Sequence, residues 1–345
     1  MTLLRRSSLC LNSQRLFSWA ITTCQPTRSD PHSYTGHKST SMTTASSSQT
    51  QNKISKSKRN YFSLQYTLSD ISYRCLHNGS CMHQTSDEDG TSFTHFGYKE
   101  IEEKEKVKKV YEVFENVAKS YDVMNDAMSA GAHRLWKSKF VDQLHVKPNM
   151  KVLDMAGGTG DIAFKMFDSF AAQHPNQAPE LNPDIVISDI NQHMLDVGKE
   201  RAAEMGIDHL FQWVQANAEE LPFDDETFDV YTIAFGIRNT THINKVLDEA
   251  FRVLKIGGRF SCLEFSHVDN VILSDLYDAY SFQVIPVMGE VLAKDWDSYQ
   301  YLVESIRKFP KQDTFAEMIY NAGFSNVRYE NMTFGVVAVH DGFKI

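Results

Sequence analysis

The chain has 345 residues, 42% of them apolar, with 35 Lys/Arg against 44 Asp/Glu. That is enough apolar material for a sizeable core, and no run approaches the roughly 18 apolar residues of a membrane span. Residues 1–86 carry ten basic and two acidic side chains, whereas residues 87–345 carry 25 and 42; such an acidic body, with no basic stripe past residue 110, excludes a nucleic-acid footprint.

The first 29 residues hold Arg5, Arg6, Arg15 and Arg28, no acid, many Ser/Thr, and Leu3, Leu4, Leu9, Leu11, Leu16, Phe17 and Trp19. This is the composition of a mitochondrial transit peptide, a basic amphipathic segment; a secretory signal needs a longer unbroken apolar region. The pattern predicts a leader over 1–30, a Ser/Thr-rich disordered linker over 31–90 that includes "STSMTTASSSQTQ", and one folded domain over 91–345. Cys10, Cys24, Cys75 and Cys81 precede that domain and only Cys262 falls within it, with no C-x-x-C spacing, so neither a disulfide framework nor a structural metal is expected.

Val107, Val110, Tyr111, Phe114, Ala118 and Tyr121 recur at three and four, which predicts an amphipathic helix ahead of the first strand. Five strand-like runs follow, separated by helical patterns: "KVLDMA", "DIVISDI", "HLFQWVQA", "FDVYTIAF" and "GGRFSCLEF". Strands alternating with helices predict a parallel sheet covered on its faces, because right-handed crossovers need a helix between parallel strands. The final runs, "SNVRYENM" and "GVVAVHDGFK", lie only a couple of residues apart, a separation that permits only antiparallel pairing.

After the first run, Gly158, Gly160 and Ala163 match G-x-G-x-x-A, the dinucleotide fingerprint, which raises an NAD-linked oxidoreductase as one reading. Asp154, three residues before the glycine pair, argues for S-adenosylmethionine (SAM) instead: an acid suits its methionine ammonium but repels a diphosphate. A dinucleotide fold also ends its sheet with parallel strands. In an open α/β sheet the ligand sits at the C-terminal edge. There Asp189, ending the second strand, suits both ribose hydroxyls, and Asn217-Ala218 follow the third strand. Gly157, Gly158 and Gly160 let the backbone approach closely, while Thr159 and Asp161 reach the amino-acid end of the ligand.

The blocks "THFGYKEI" (94–101), "VFENVAKSYDVMNDAMSAGAHRLWK" (113–137), "LDMAGGTGDIAF", "AFGIRNTTHINKVLDEAFRVLK" and "DSYQYLVESIRKFPKQDTF" resemble the UbiE-type C-methyltransferases of ubiquinone and menaquinone biosynthesis, over residues 94–345. The resemblance implies a class I SAM-dependent methyltransferase fold: α/β and Rossmann-like, a mostly parallel sheet with an antiparallel last strand and extra N-terminal helices. It implies methyl transfer to a ring carbon of a polyprenyl benzoquinol, with Thr159, Asp189, Asn217 and Ala218 as cofactor contacts. In "KIGG" at 255–258, Ile256 stands where the family usually has proline.

On that reading the hydroquinol must lose a phenolic proton. A phenol-like pKa near 10 at pH near 8 costs roughly 2.7 kcal/mol, and a guanidinium about 4 Å away offers roughly 4 kcal/mol. Arg238, beyond the fourth strand, is expected to stabilise the phenolate and orient a water, being too weak an acid to act as base. Asn239 is expected to hold that water or a ring oxygen, and Tyr121 to act as a lid residue. Of the histidines open to a role as base, His133, His242 and His267, the last follows the fifth strand and is best placed.

Residues 271–292, apolar but broken by Pro286 and Gly289, are read as a helix pair or a lid and tunnel for the isoprenoid tail. Because an acidic body is repelled by anionic lipid, other coenzyme Q biosynthesis proteins are expected to hold the chain at the matrix face of the mitochondrial inner membrane as a peripheral protein, with 271–292 also open to homodimer contact. A non-catalytic structural subunit retaining the same fold is the remaining alternative, disfavoured by intact Asp189, Asn217 and Arg238.

Overall fold

The computed structural model describes residues 92–117, 121–175 and 182–345. The expected leader over 1–30, the linker over 31–90, Ala118 and the side chain of Tyr121 lie outside what is described. A hairpin that periodicity did not reveal opens the domain: β1 (Phe93–Phe96) pairs antiparallel with β2 (Lys99–Glu102). Gly97 takes φ +59° at its turn, where a Cβ would run into Glu304, and the Tyr98 amide donates to Oε2 of Glu304 over 2.9 Å.

Three helices follow, α1 (Glu103–Val117), α2 (Tyr121–Ser129) and α3 (Ala132–Leu144). The expected alternation then appears as β3 (Lys151–Met155), α4 (Asp161–Gln173), β4 (Asp184–Asp189), α5 (Gln192–Glu204), β5 (Phe211–Gln215), β6 (Phe228–Ala234), α6 (Ile243–Val253) and β7 (Leu254–Phe265). The chain ends with α7 (Val271–Gln283), α8 (Ile285–Met288), α9 (Trp296–Lys308), α10 (Gln312–Asn321), β8 (Ser325–Met332) and β9 (Val337–Phe343). Pro286 and Gly289 divide 271–292 as expected, Pro286 in the first turn of α8 and Gly289 opening a π-helical turn to Ala293.

Seven strands form one sheet in the order β5-β4-β3-β6-β7-β9-β8. β5, β4, β3, β6 and β7 run parallel, and β9 is inserted antiparallel between β7 and β8, as the short final connection required. Strand order reverses between β3 and β6, which opens the crevice where α/β sheets bind ligands.

Alternation along the strands feeds two cores. Leu153, Met155, Tyr231, Ile233, Phe260 and Cys262 pack against Val246, Leu247 and Ala250 of α6 and Phe315 and Ile319 of α10. Val152, Ile185, Ile187, Val230 and Leu263 face the other way, onto Trp136, Phe140 and Leu144 of α3 and residues of α4 and α5. A third cluster, Met124, Ile285, Tyr299 and Val303, joins α2, α8 and α9. Among the described residues no helix is long and apolar enough to cross a membrane.

Candidate active site

At the C-terminal ends of β3, β4, β5 and β6 lies a cavity of about 1140 Å³. Asp154 ends the apolar run of β3 and is fully buried there. Its Oδ1 accepts a 2.9 Å hydrogen bond from the Thr232 hydroxyl, while Oδ2 has no protein partner. Burial pushes its pKa up to about 7, against the pull of the Thr232 hydroxyl. A carboxylate so placed calls for a cation from outside the protein.

The loop after β3 is shaped by glycines at positions where a side chain would crowd its neighbours or strain the backbone. A Cβ on Gly157 would lie 2.7 Å from Cγ2 of Ile187 and 3.0 Å from the Asp154 carbonyl oxygen. Gly158 takes φ +52° and its amide donates 3.0 Å to Oδ2 of Asp189. The other Asp189 oxygen accepts from the Asn191 amide at 2.8 Å. Burial raises the pKa of Asp189 to about 6, opposed by those amides. Each oxygen keeps a lone pair for a ligand hydroxyl.

Thr159 lies buried in the lining, its hydroxyl accepting 2.8 Å from Arg201. Asp161, in the first turn of α4, is held 2.7 Å from Lys137 of α3. Burial raises its pKa, but Lys137, Lys165 and Arg201 outweigh that and the net shift is downward. Asn217 and Ala218 complete the wall after β5, with Asn217 Oδ1 accepting from the Glu219 amide at 3.1 Å. Gly160 departs from expectation: it is absent from the lining, and at φ +82° it caps α4 where a Cβ would meet Phe164 at 2.7 Å. Its role is close packing of helix on sheet.

The roof comes from α1, the helix ahead of the sheet. Val107, Val110, Tyr111 and Phe114 close over the cavity. Two ties hold this helix down. Lys106 Nζ donates to the Thr240 carbonyl at 2.8 Å, burial lowering its pKa to about 8 against the pull of Glu219 and Glu103. His242 sits between Glu219, 2.8 Å from Nδ1, and Glu103, 3.1 Å from Nε2. His242 is therefore a clamp and not a base.

A second cavity, about 730 Å³, adjoins the first and shares Phe114, Lys137, Phe235 and Asn239 with it. Its wall is rich in rings, with Phe235, Phe265, Tyr299 and Tyr301, and Arg238, His133 and Asn125 supply polarity. Asn239 Oδ1 accepts 3.1 Å from the Tyr301 hydroxyl, and its buried Nδ2 has no partner, leaving a donor for a ligand oxygen. Burial raises the Tyr301 phenol to about 12, so it stays neutral.

Arg238 is at this cavity as expected, yet its charge is not free. Its Nη1 donates 2.6 Å to the Phe235 carbonyl and 2.8 Å to Glu264 Oε1 at the end of β7, and its guanidinium carbon lies 5.4 Å from the Phe265 ring centroid. Pairing with a buried carboxylate reduces the field that a lone guanidinium would offer a ring oxygen, so roughly 4 kcal/mol is an upper bound here. The signal for Glu264 was present: an acid inside the otherwise apolar run "FSCLEF". His267, favoured by its place after β7, bonds through Nε2 to the Phe309 carbonyl at 2.8 Å and lines neither cavity.

These features fit SAM. The unpartnered Asp154 oxygen suits a cationic amino-acid end, Asp189 suits a ribose diol, and the glycines of the loop leave room for a ligand against the backbone.

A model of the ubiE/COQ5 methyltransferase family matches residues 101–344. The chain is 55% identical to the mitochondrial 2-methoxy-6-polyprenyl-1,4-benzoquinol methylase of Xenopus laevis, over 73% of this chain and 89% of that protein. It is 58% identical to the protein of the same name from Drosophila melanogaster, over 73% and 85% of the two chains. To that of Homo sapiens it is 52% identical, over 75% and 87%.

Proposed function

The chain belongs to the ubiE/COQ5 methyltransferase family, and we propose that it C-methylates 2-methoxy-6-polyprenyl-1,4-benzoquinol with SAM in coenzyme Q biosynthesis. The observation that carries this reading is the joining of two cavities through Phe114, Lys137, Phe235 and Asn239: one acidic and glycine-lined, the other ringed by aromatic side chains. Bound SAM supplies a methyl group on a sulfonium, an electrophile for an electron-rich carbon. Asp154 holds the cationic end, Asp189 the ribose, and Thr159, Asn217 and Ala218 complete the bed. Asp161 and Lys137 form a polar bridge between the two cavities.

In the second cavity Phe235 and Phe265, packed on each other with ring centroids 4.9 Å apart, offer one aromatic wall to a planar ring, and Asn239 Nδ2 donates to one of its oxygens. Arg238 orients and polarises that oxygen, with a charge moderated by Glu264. Tyr121, which opens α2, keeps its proposed lid role. The roof of α1 excludes water from both groups.

Methyl transfer by the full-length chain from isotope-labelled SAM to a short-chain 2-methoxy-6-prenyl-1,4-benzoquinone, with and without dithionite, tests the reading. Transfer only under reduction is expected. SAM binding without transfer in either state favours the structural-subunit alternative, and nicotinamide cofactor binding favours the oxidoreductase.

The chain is mitochondrial, in line with its relatives' names, and the basic acid-free start supports a leader over 1–30, a linker to 90 and delivery to the matrix. Other coenzyme Q biosynthesis proteins then hold it on the inner membrane. The exposed apolar side chains Val271, Ile272, Leu276, Val287, Val291 and Leu292, running from α7 to the π-helical turn, support that surface as the contact, which a homodimer can also use.

A further inference from the structure

Because Arg238 is already balanced by Glu264, ionising the quinol needs a proton acceptor, and the second cavity contains one. His133, in the first turn of α3, lines that cavity and is buried. Its Nε2 lies 2.9 Å from Asp126 Oδ1, and its Nδ1 is buried without a hydrogen-bond partner. The backbone that carries the ring is held as well, the His133 amide donating to the Ser129 hydroxyl at 3.2 Å.

Asp126 is fixed as an anion. Arg134 donates to both its oxygens at 2.6 Å, and the hydrogen bonds from Arg134 and His133 hold its pKa far below the usual carboxylate range. An ionised Asp126 accepts only, so the proton of a neutral imidazole resides on Nε2 and the lone pair on Nδ1. Burial lowers the His133 pKa, Asp126 opposes this, and Lys137 and Arg134 add to the lowering, so the ring is neutral and able to accept at pH 7 and above. The charged groups acting on it are Asp126 from α2 and Arg134 and Lys137 from α3; Arg238, which follows β6 and is paired with Glu264 of β7, and neutral Tyr301 from α9 line the same cavity.

We propose that His133 is a catalytic residue whose Nδ1 takes the ring-hydroxyl proton of the quinol, with Asp126 as the positioning residue that sets its tautomer and balances the imidazolium. This rests on the quinol-methylation reading. The O–H bond breaks with its pair left on oxygen, and the Nδ1 lone pair forms the new N–H bond. The proton returns to the product oxygen as the ring carbon releases its own hydrogen to water, so the imidazole ends neutral and each turnover frees one proton. The other histidines near the sheet edge do not compete: His242 has a carboxylate on each nitrogen, and His340, though its Nδ1 is also unpaired, lines neither cavity.

His133→Gln keeps a donor for Asp126 and removes the base. In the full-length chain with reduced short-chain quinone, kcat is expected to fall roughly 10²- to 10⁴-fold with SAM affinity by calorimetry unchanged. The residual rate should climb about tenfold per pH unit as solvent ionises the quinol. Asp126→Asn, whose amide donates to Nε2 and drives the proton onto Nδ1, should give a similar loss with the histidine present. A readout independent of turnover is 2-methoxy-4-nitrophenol bound without SAM, expected to absorb as phenolate at lower pH in wild type than in His133→Gln. Wild-type rate and an unshifted spectrum in His133→Gln overturn the assignment while leaving the methyltransferase reading intact; failure of wild type on the reduced quinol sinks that reading itself. If His133→Gln loses SAM binding, His133→Ala with added imidazole decides: recovered transfer supports the base, and a SAM-binding variant that imidazole does not rescue removes it.

Discussion

Arg238 Nη1 and Glu264 Oε1 lie 2.8 Å apart with their side chains only 6% and 1% exposed, which makes them a buried ion pair at the wall of the aromatic cavity. Burial raises the Glu264 pKa, opposed first by Arg238, and its carboxylate also accepts from the Phe265 amide at 2.9 Å. Glu264→Gln strands the guanidinium, and losing one partner of a buried pair costs about 3–5 kcal/mol. The melting temperature is therefore expected to fall by several degrees, while bound 2-methoxy-4-nitrophenol ionises at lower pH because the arginine charge is no longer offset. A thermal scan and a spectrophotometric titration check the two halves separately; an unchanged melting temperature contradicts the first.

SAM affinity should depend on pH through Asp154 and Asp189, whose pKa values stand at about 7 and about 6 in the free protein. A cation at Asp154 prefers the ionised form, so affinity is expected to rise with pH from 5 and level off above 7, by up to about tenfold per unit per group. The unliganded fold shows the opposite trend: both acids bind protons more tightly folded than unfolded, so their contribution to stability is present at low pH and lost as pH rises through 6 and 7. The melting-temperature gain on adding SAM must then be larger at pH 8 than at pH 5. A gain independent of pH would remove Asp154 from the cation site.

Gly160→Ala separates packing from binding. At φ +82°, with a would-be Cβ 2.7 Å from Phe164 and 3.0 Å from Trp213, the substitution strains the start of α4 and is expected to destabilise by roughly 1–3 kcal/mol. Calorimetry above that loss should show smaller effects on SAM affinity than Gly158→Ala, since Gly158 lines the cavity and bonds Asp189. Equal losses of affinity would return Gly160 to the ligand contacts.

Lys106→Met should loosen the roof. It deletes the 2.8 Å bond to the Thr240 carbonyl, and a charge-assisted bond is worth about 1.5–3 kcal/mol, so SAM is expected to bind roughly tenfold or more weakly. Amide exchange in α1 should quicken while that of β3 stays unchanged. Identical exchange in α1 would show that His242, Glu103 and Glu219 hold the helix without the lysine.

Much of this site was legible because its signals are local. An apolar run ending in Asp154, the glycines at 157, 158 and 160, and Asp189 ending the next run define β3, its loop and β4 through spacing alone, and the two-residue gap before the last run dictated an antiparallel β9. The β1–β2 hairpin leaves no sequence signal because its four-residue strands, "FTHF" and "KEIE", hold too few alternations to register a period. Chain position favours His267 over His133, but it carries no information about which ring nitrogen the fold leaves unbonded.

The sequence by itself determined the alternation of strands and helices, the crevice at the strand ends and the acids that line it, since all follow from periods of two and 3.6 and from turn chemistry within a few residues. Only the tertiary structure decided that α1 roofs the cavity, that Glu264 moderates Arg238 from 26 positions away, and that His133 keeps a free nitrogen beside Asp126. Those relationships depend on how helices cross the sheet and on which polar atoms burial leaves without partners. Such properties belong to packing in three dimensions, and no local pattern of residues encodes them.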